Sequence, residues 1–122
     1  LREHVIFEPF RPDIASWLRS IGVVFSTSDE ESFHLAPAEG MASGCLPVVW
    51  DRVGAAEIFG ADLVVGSIEE ARDRILALRN GKDFLQVGKR MKERAAKWDF
   101  ETLAPQWEQV LSSSSPLMRM RA

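Results

Sequence analysis

Two short runs of consecutive apolar residues, separated by one helical segment, constrain the fold of this chain most strongly. The runs cover residues 23–25 and 47–50. Apolar runs without polar alternation are typical of strands that are buried on both faces of a parallel sheet. Between them the pattern predicts a helix over about residues 35–43, and Gly44 supplies its left-handed stop. A strand, a crossover helix and a second strand form the repeating unit of an α/β fold.

The same alternation continues on both sides of this unit. Short strands are predicted at residues 5–7, stopped by Pro9 and Pro12, and at residues 63–65. A short helical turn is expected to follow Gly54, and further helices are predicted from Asp13 to Gly22, from Ser67 to Asn80, from Phe84 to Trp98 and from Asp99 to Leu111. We therefore predict an α/β fold with a Rossmann-like parallel sheet and flanking helices. Residues 1–111 form its domain, and residues 112–122 are expected to be a frayed tail.

Composition and charge exclude several classes of protein. The chain has 122 residues, a formal net charge of −3 and one cysteine, so neither an internal disulfide nor a cysteine-based metal site is expected. The mildly acidic total argues against a nucleic-acid partner. Residues 72–97 nevertheless carry nine basic and three acidic side chains. We interpret these as solvated helix faces, with peripheral contact to an anionic membrane surface as the alternative. A reducing cytoplasm is the expected compartment.

Two carboxylates frame the predicted helix at residues 35–43. Glu31 and Glu39 stand eight positions apart, a little over two helical turns. With Glu31 in the preceding loop and Glu39 on the helix, both can point at the crevice where open α/β sheets bind ligands. Acceptor-only groups suit a ligand rich in hydroxyls, such as a sugar or a ribose. Alternatively, each carboxylate could simply bond neighbouring backbone.

The sequence around these glutamates follows a known order of motifs. A strand ending in serine precedes Glu-Gly-Phe-Gly, then Glu-Ala-Met-Ala-x-Gly with seven residues between the two glutamates, then Pro-Val-Val. The corresponding residues here are Phe25-Ser26, Glu31-Ser32-Phe33-His34, Glu39-Gly40-Met41-Ala42-Ser43-Gly44 and Pro47-Val48-Val49. Residues 5–66 thereby resemble the second half of the nucleotide-sugar-binding domain of GT-B glycosyltransferases, of the retaining family 4 type with its E-x7-E motif.

The resemblance implies specific roles for five residues. Glu31 would lie at the hydroxyls of the transferred sugar, as a catalytic and donor-binding residue, and Glu39 would bind the ribose. Backbone N–H groups of Phe33, His34 and Leu35 would face the diphosphate, which a helix N-terminus also favours on physical grounds. The implied reaction transfers a sugar with retention from a nucleoside-diphosphate sugar to an unidentified acceptor. Neither a metal nor a cofactor other than the donor is implied.

Two departures from the family pattern modify this expectation. Ser32 and His34 replace glycines, and the His34 imidazole could contact the ligand or pack locally. In the family's strand order, 3-2-1-4-5-6, this chain corresponds to the third strand onward. Two strands and the acceptor domain would lie upstream, so we expect a fragment that is inactive alone. The alternative is a non-catalytic nucleotide-sugar-binding or protein-interaction module, whose uncovered sheet edge forms a dimer.

Remaining candidates receive plainer interpretations. Cys45 is expected to be a buried filler, and Arg52 either a phosphate-neutralising side chain or an isolated surface arginine. Trp50 could line the crevice. Three serines lack a partnered His/Asp arrangement, which disfavours hydrolase chemistry: Ser26, Ser28 and Ser32. Three tryptophans fit apolar helical stripes and are expected to pack in the core: Trp17, Trp98 and Trp107.

Overall fold

The computed structural model describes residues 2–81 and 83–113. The elements follow one another as α1 (Ile14–Arg19), β1 (Val23–Ser26), α2 (Leu35–Ser43), β2 (Leu46–Trp50), α3 (Ala55–Phe59), β3 (Val64–Val65), α4 (Ile68–Asn80), α5 (Phe84–Ala95) and α6 (Phe100–Ser113). Three single turns of 3-10 helix lie at Arg2–His4, Ala61–Leu63 and Ala96–Trp98.

The three strands form one parallel sheet in the order β1-β2-β3. Val23 pairs with Leu46 and Ser26 with Val49, while Trp50 pairs with Val65. The carboxyl ends of the strands therefore meet at one edge of the sheet, where the loops that lead into α2, α3 and α4 begin. The predicted α/β fold with a parallel sheet flanked by helices is confirmed.

The central strand and the helices around it make the core. Four of the five β2 residues are buried, and Met41 of α2, Phe59 of α3 and Met91 of α5 are almost completely buried against them. Helices α2 and α5 also approach each other closely at two glycines. A Cβ atom at Gly88 would lie 3.1 Å from the carbonyl oxygen of Gly44, closer than most real Cβ contacts. Gly44 also adopts φ 97°, which confirms the predicted left-handed end of α2.

The predicted strand at residues 5–7 is wrong. Residues 5–10 have no regular secondary structure, and Ile6 and Phe7 are 83% and 94% exposed. No described strand pairs with this segment, and an unpaired strand leaves its backbone groups without partners. The sequence pattern identified apolar residues correctly, but it could not supply the neighbour that a strand requires.

The last helix also differs from expectation. None of its residues is buried, and Trp107 is 63% exposed, so its predicted place in the core is wrong. Its apolar stripe has helical spacing, but Trp107, Val110 and Leu111 are largely exposed. Trp17 and Trp98 are both half-buried. Ser112 and Ser113 continue α6, and the rest of the predicted tail, residues 114–122, lies outside the described residues. No helix among the described residues is long and apolar enough to cross a membrane.

Local hydrogen bonds explain where helices begin. The carboxylate of Asp13 accepts from the backbone N–H of Ser16, as predicted for the start of α1. At α4, the hydroxyl of Ser67 accepts from the N–H of Glu70. The returning bond comes from the N–H of Gly66 rather than from that of Ser67, so the predicted capping box closes one residue earlier.

Cys45 lies at the junction of α1, α2 and β2 and has no exposed surface. Its Sγ donates to the carbonyl oxygens of Leu18 and Ile21, at 3.2 and 3.3 Å. Burial raises the pKa of the thiol above its ordinary value, because the thiolate would lose its hydration. The expected role of Cys45 as a buried filler agrees with this placement.

An ion pair ties α5 to the turn that follows α3. Arg94 donates from Nη1 and Nη2 to the two carboxylate oxygens of Asp62, at 2.7 and 3.0 Å, and also from Nη2 to the carbonyl oxygen of Phe59. The hydrogen bonds from Arg94 hold the pKa of Asp62 below its ordinary value. The folded state therefore binds a proton at Asp62 less readily than the unfolded chain does.

We expect the stabilisation from this pair to depend on pH. It is fully present above about pH 5 and is lost as the pH falls through the lowered pKa of Asp62. Because the carboxylate is largely exposed, Asp62→Asn should lower the free energy of unfolding by only about 0.2–1 kcal/mol at pH 7, and by less at about pH 3. Urea titrations across this range measure the difference. Asp73→Asn, which removes an exposed pair with Arg72, is the control. A difference independent of pH would contradict the assignment.

Candidate functional site

The loop between β1 and α2 ends in an unusual backbone conformation. His34, immediately before α2, has φ 70° and ψ 76° and is the only non-glycine residue with positive φ among residues 2–81 and 83–113. A non-glycine residue in this left-handed region carries a steric cost of about 1–2 kcal/mol. His34 occupies a position where the resembled family has glycine. The loop thus takes a glycine-type turn without a glycine.

A groove of about 430 Å³ lies beside this turn, within the usual size range of small-molecule sites. Its α2 wall contains three of the predicted donor-binding residues, Phe33, Leu35 and Glu39. Its opposite wall comes from the end of α5 and the following turn: Lys92, Ala95, Ala96, Trp98 and Asp99. Phe33 and Trp98 meet edge-to-face with ring centroids 5.1 Å apart, which joins the two walls through an aromatic contact.

The sequence did not predict the wall of the groove that α5 and the following turn form. More than fifty residues separate Glu39 from Lys92 and Trp98, and no local pattern connects them. The glycines that allow α2 and α5 to approach closely were the available signal, but nothing in the sequence identifies Gly88 as a partner of Gly44. The spacing of apolar residues predicts Trp98 on a helical stripe, whereas it lies in the turn after α5 and packs on Phe33 and Phe59.

The two glutamates have different surroundings. Glu39 is exposed and lines the groove, whereas Glu31 is not part of the groove lining. One Glu31 carboxylate oxygen lies 3.5 Å from Nε2 of His34. Neither glutamate side chain caps a helix or accepts a hydrogen bond from the main chain among the described residues. The structure thus places Glu39 in the groove lining and the Glu31 carboxylate beside the His34 imidazole.

The imidazole of His34 packs locally. Its ring lies against Phe59, with centroids 6.5 Å apart, and its side chain is only 9% exposed. Ser26 Oγ is 3.2 Å from Nε2 and 3.4 Å from Nδ1. The structure thus brings a serine, a histidine and a carboxylate together, which the sequence reasoning had not anticipated.

These three side chains do not form a nucleophilic triad. A proton relay needs the serine on one ring nitrogen and the carboxylate on the other. Here Nε2 is the nitrogen nearest both Ser26 and Glu31, and Ser26 Oγ sits between the two nitrogens at the ring edge. The geometry holds the imidazole in place and gives no support to hydrolase chemistry.

The N-terminus of α2 retains unpaired donors. No described residue accepts a hydrogen bond from the backbone N–H of Phe33, His34 or Leu35, and the His34 side chain makes no capping bond. Pro37 has no N–H, so fewer donors need partners here than at most helix ends. These N–H groups are the positive end of the α2 dipole and suit an anion. No group of three or more potential metal ligands occurs among residues 2–81 and 83–113.

Comparison with known proteins identifies a family for this chain. The family model of glycosyl transferases group 1 matches residues 1–81, about two thirds of the chain, including β1, α2, β2 and the groove residues of α2. No curated protein and no solved structure matches the chain. The matched segment contains both glutamates and the turn at His34. The chain therefore belongs to the group 1 glycosyl transferases.

Proposed function

We propose that this chain is the donor-binding half of a retaining glycosyltransferase that uses a nucleoside-diphosphate sugar. The observation that carries the proposal is the order of groups around the start of α2. Glu39 lines the groove, the unpaired N–H groups of residues 33–35 lie at the turn, and a Glu31 carboxylate oxygen lies 3.5 Å from the His34 ring at that turn. A nucleoside, a diphosphate and a sugar follow one another in the same order in the ligand.

Each group has a chemistry that fits its assigned part of the donor. Glu39 accepts hydrogen bonds and can bind the ribose hydroxyls in the groove. The helix N-terminus binds the diphosphate, and Glu31 orients the transferred sugar. Stabilisation of the departing diphosphate and positioning of the sugar would supply the catalysis, without a protein nucleophile. The acceptor site would lie outside this chain, so the isolated chain binds the donor without turning it over.

Replacement of Glu39 tests the proposal. Glu39→Ala should weaken nucleoside diphosphate binding about 5- to 150-fold, equivalent to about 1–3 kcal/mol, because the ribose hydroxyls lose their hydrogen-bond acceptor. Calorimetry with UDP, ADP and GDP measures this effect. Glu101→Ala, which removes an exposed glutamate of α6, is the matched control and should leave affinity unchanged.

A second arm distinguishes ribose contact from a general effect of charge. Removal of the ribose 2′-hydroxyl from the nucleotide should weaken its binding to the original chain. The same change should weaken binding to Glu39→Ala much less, because both changes remove the same interaction. Equal losses in both chains would contradict the assignment. A chain that binds none of these nucleotides and dimerises in light scattering would instead support the non-catalytic interaction module.

A further inference from the structure

Arg52 has two buried donors that lack partners. It follows β2 at the carboxyl edge of the sheet, and its Nη1 donates to the carbonyl oxygens of Val53 and Glu31, at 3.1 and 3.4 Å. Its Nε and Nη2 have no exposed surface and no hydrogen-bond acceptor. A buried charged donor without an acceptor is unfavourable, so some partner is expected when the protein works.

The two unpaired nitrogens identify the kind of partner. Nε and Nη2 share one edge of the planar guanidinium, and their N–H bonds point the same way. This edge matches two oxygens of one carboxylate or phosphate group, which is how arginine binds anions with two parallel hydrogen bonds. Arg94 binds both carboxylate oxygens of Asp62 with two bonds of this kind, from Nη1 and Nη2. In Arg52 the Nε–Nη2 edge has no anion within the described residues.

Arg52 is the one basic residue in loops that are otherwise acidic. Arg52 is the only lysine or arginine between Arg19 and Arg72. The loops that follow β1 and β2 otherwise contribute acidic side chains: Asp29, Glu30, Glu31 and Asp51. Arg52 is therefore the side chain with a fixed positive charge in these loops that attracts an anion, against the repulsion of the acidic residues.

We propose that Arg52 binds a two-oxygen anionic group of the donor through Nε and Nη2. This inference rests on the proposed function, because the Glu31 carbonyl that contacts Arg52 belongs to the residue assigned to the transferred sugar. The anion is either the donor diphosphate or a carboxylate on an acidic sugar. Both expose the same pair of oxygens to the guanidinium.

Binding requires a small rearrangement that the contacts of Arg52 permit. Its two buried nitrogens must become accessible, and the hydrogen bonds that hold the guanidinium are those from Nη1 to two loop carbonyls. The bond to Glu31 is at the long limit for a hydrogen bond. The charge-assisted bonds that Nε and Nη2 make to an oxygen pair are stronger than the neutral contacts of Nη1 that this movement gives up, which favours the ligand-bound arrangement.

Substitution of Arg52 tests the inference by calorimetry. Arg52→Gln should weaken binding of a nucleoside diphosphate or its sugars at least 10-fold, and Arg52→Lys, which keeps the charge but loses the fork, should recover only part of it. Arg79→Gln, which removes an exposed arginine of α4, is the control. Nucleoside without phosphate should bind all four chains equally. Unchanged affinity of Arg52→Gln for every anionic probe would overturn the inference.

Three probes distinguish the source of the anion: a nucleoside diphosphate, its glucose ester and its glucuronate ester. If Arg52→Gln loses the same affinity for all three probes, Arg52 binds the diphosphate. If it loses affinity for the glucuronate ester alone, Arg52 binds a sugar carboxylate. If the original chain binds no nucleotide, the proposed function is wrong, and binding of inorganic pyrophosphate then tests the Arg52 site by itself. Pyrophosphate binding lost in Arg52→Gln supports the site, whereas absent or unchanged pyrophosphate binding overturns it.

The thermal midpoint separates a ligand role from a structural one. Arg52→Gln removes two unpaired buried donors, so its midpoint without ligand should equal or exceed that of the original chain. A clear fall of the midpoint would show that Arg52 supports the fold, and this outcome would count against the inference.

Discussion

Phe59→Ala is expected to lower the free energy of unfolding by about 3–5 kcal/mol. Phe59 is 1% exposed and lies where α3 meets the sheet and α5. Its ring packs on Phe33, Trp98 and His34, with centroids 6.5, 5.7 and 6.5 Å away. Truncation would remove the apolar contacts and leave a cavity that three aromatic rings can fill only partly.

Urea unfolding followed by tryptophan fluorescence measures this loss. Phe7→Ala is a matched control, because it deletes the same side chain from a position that is 94% exposed, and it should change stability by less than about 0.5 kcal/mol. Because Phe33 and Trp98 also line the groove, Phe59→Ala should weaken nucleotide binding even where the variant stays folded. A loss of stability similar to that of Phe7→Ala would contradict the central place of Phe59 in the core.

Gly60→Ala is expected to lower the free energy of unfolding by about 2–4 kcal/mol. Gly60 has φ 95° and ψ 141°, a region that side-chain-bearing residues avoid at a cost of about 1–3 kcal/mol. A Cβ atom there would also collide with Arg94 Nη2 and would lie 2.8 Å from Asp62 Oδ1. The substitution therefore adds strain and also breaks the ion pair between α5 and the turn after α3.

Gly54→Ala separates these two effects. Gly54 stands at the other end of α3 with φ 81°, and a Cβ atom there would meet nothing within 4 Å. This variant should lose only the strain, about 1–2 kcal/mol. Equal losses in the two variants would show that the collision with Arg94 contributes nothing. The pH dependence assigned to Asp62 should be retained in Gly54→Ala and abolished in Gly60→Ala.

Sequence reasoning predicted most accurately where local patterns determine structure. The bounds of α2 and its end at Gly44 agree with the structure, as do the cap at Asp13 and the central strand before α3. Each depends on residues within a few positions of one another, which a sequence displays directly. The strand at residues 5–7 failed for the opposite reason, because pairing depends on a distant neighbour.

The candidate site, too, is predictable from the sequence only where its residues lie close together along the chain. The α2 side of the groove could be predicted, since Phe33, Leu35 and Glu39 belong to one motif. Its α5 side depends on how two helices pack, and a sequence does not state which glycines face each other. The cluster of Ser26, Glu31 and His34 could not be predicted either, because it follows from the left-handed turn at His34. A histidine in place of the family's glycine argues against such a turn. The functional roles of the five predicted residues stay predictions until donor binding is measured.

Because Cys45 is completely buried, its reactivity measures how often the folded chain opens. The sequence holds no other thiol, and this one is closed in by α1, α2 and β2 with its Sγ bonded to two carbonyl oxygens. An alkylating reagent can reach it only after those elements separate. The rate at which the reagent labels Cys45 under native conditions therefore follows the population of opened molecules. Labelling rates thus rank the stability of every variant proposed above without denaturant, dye or added tag.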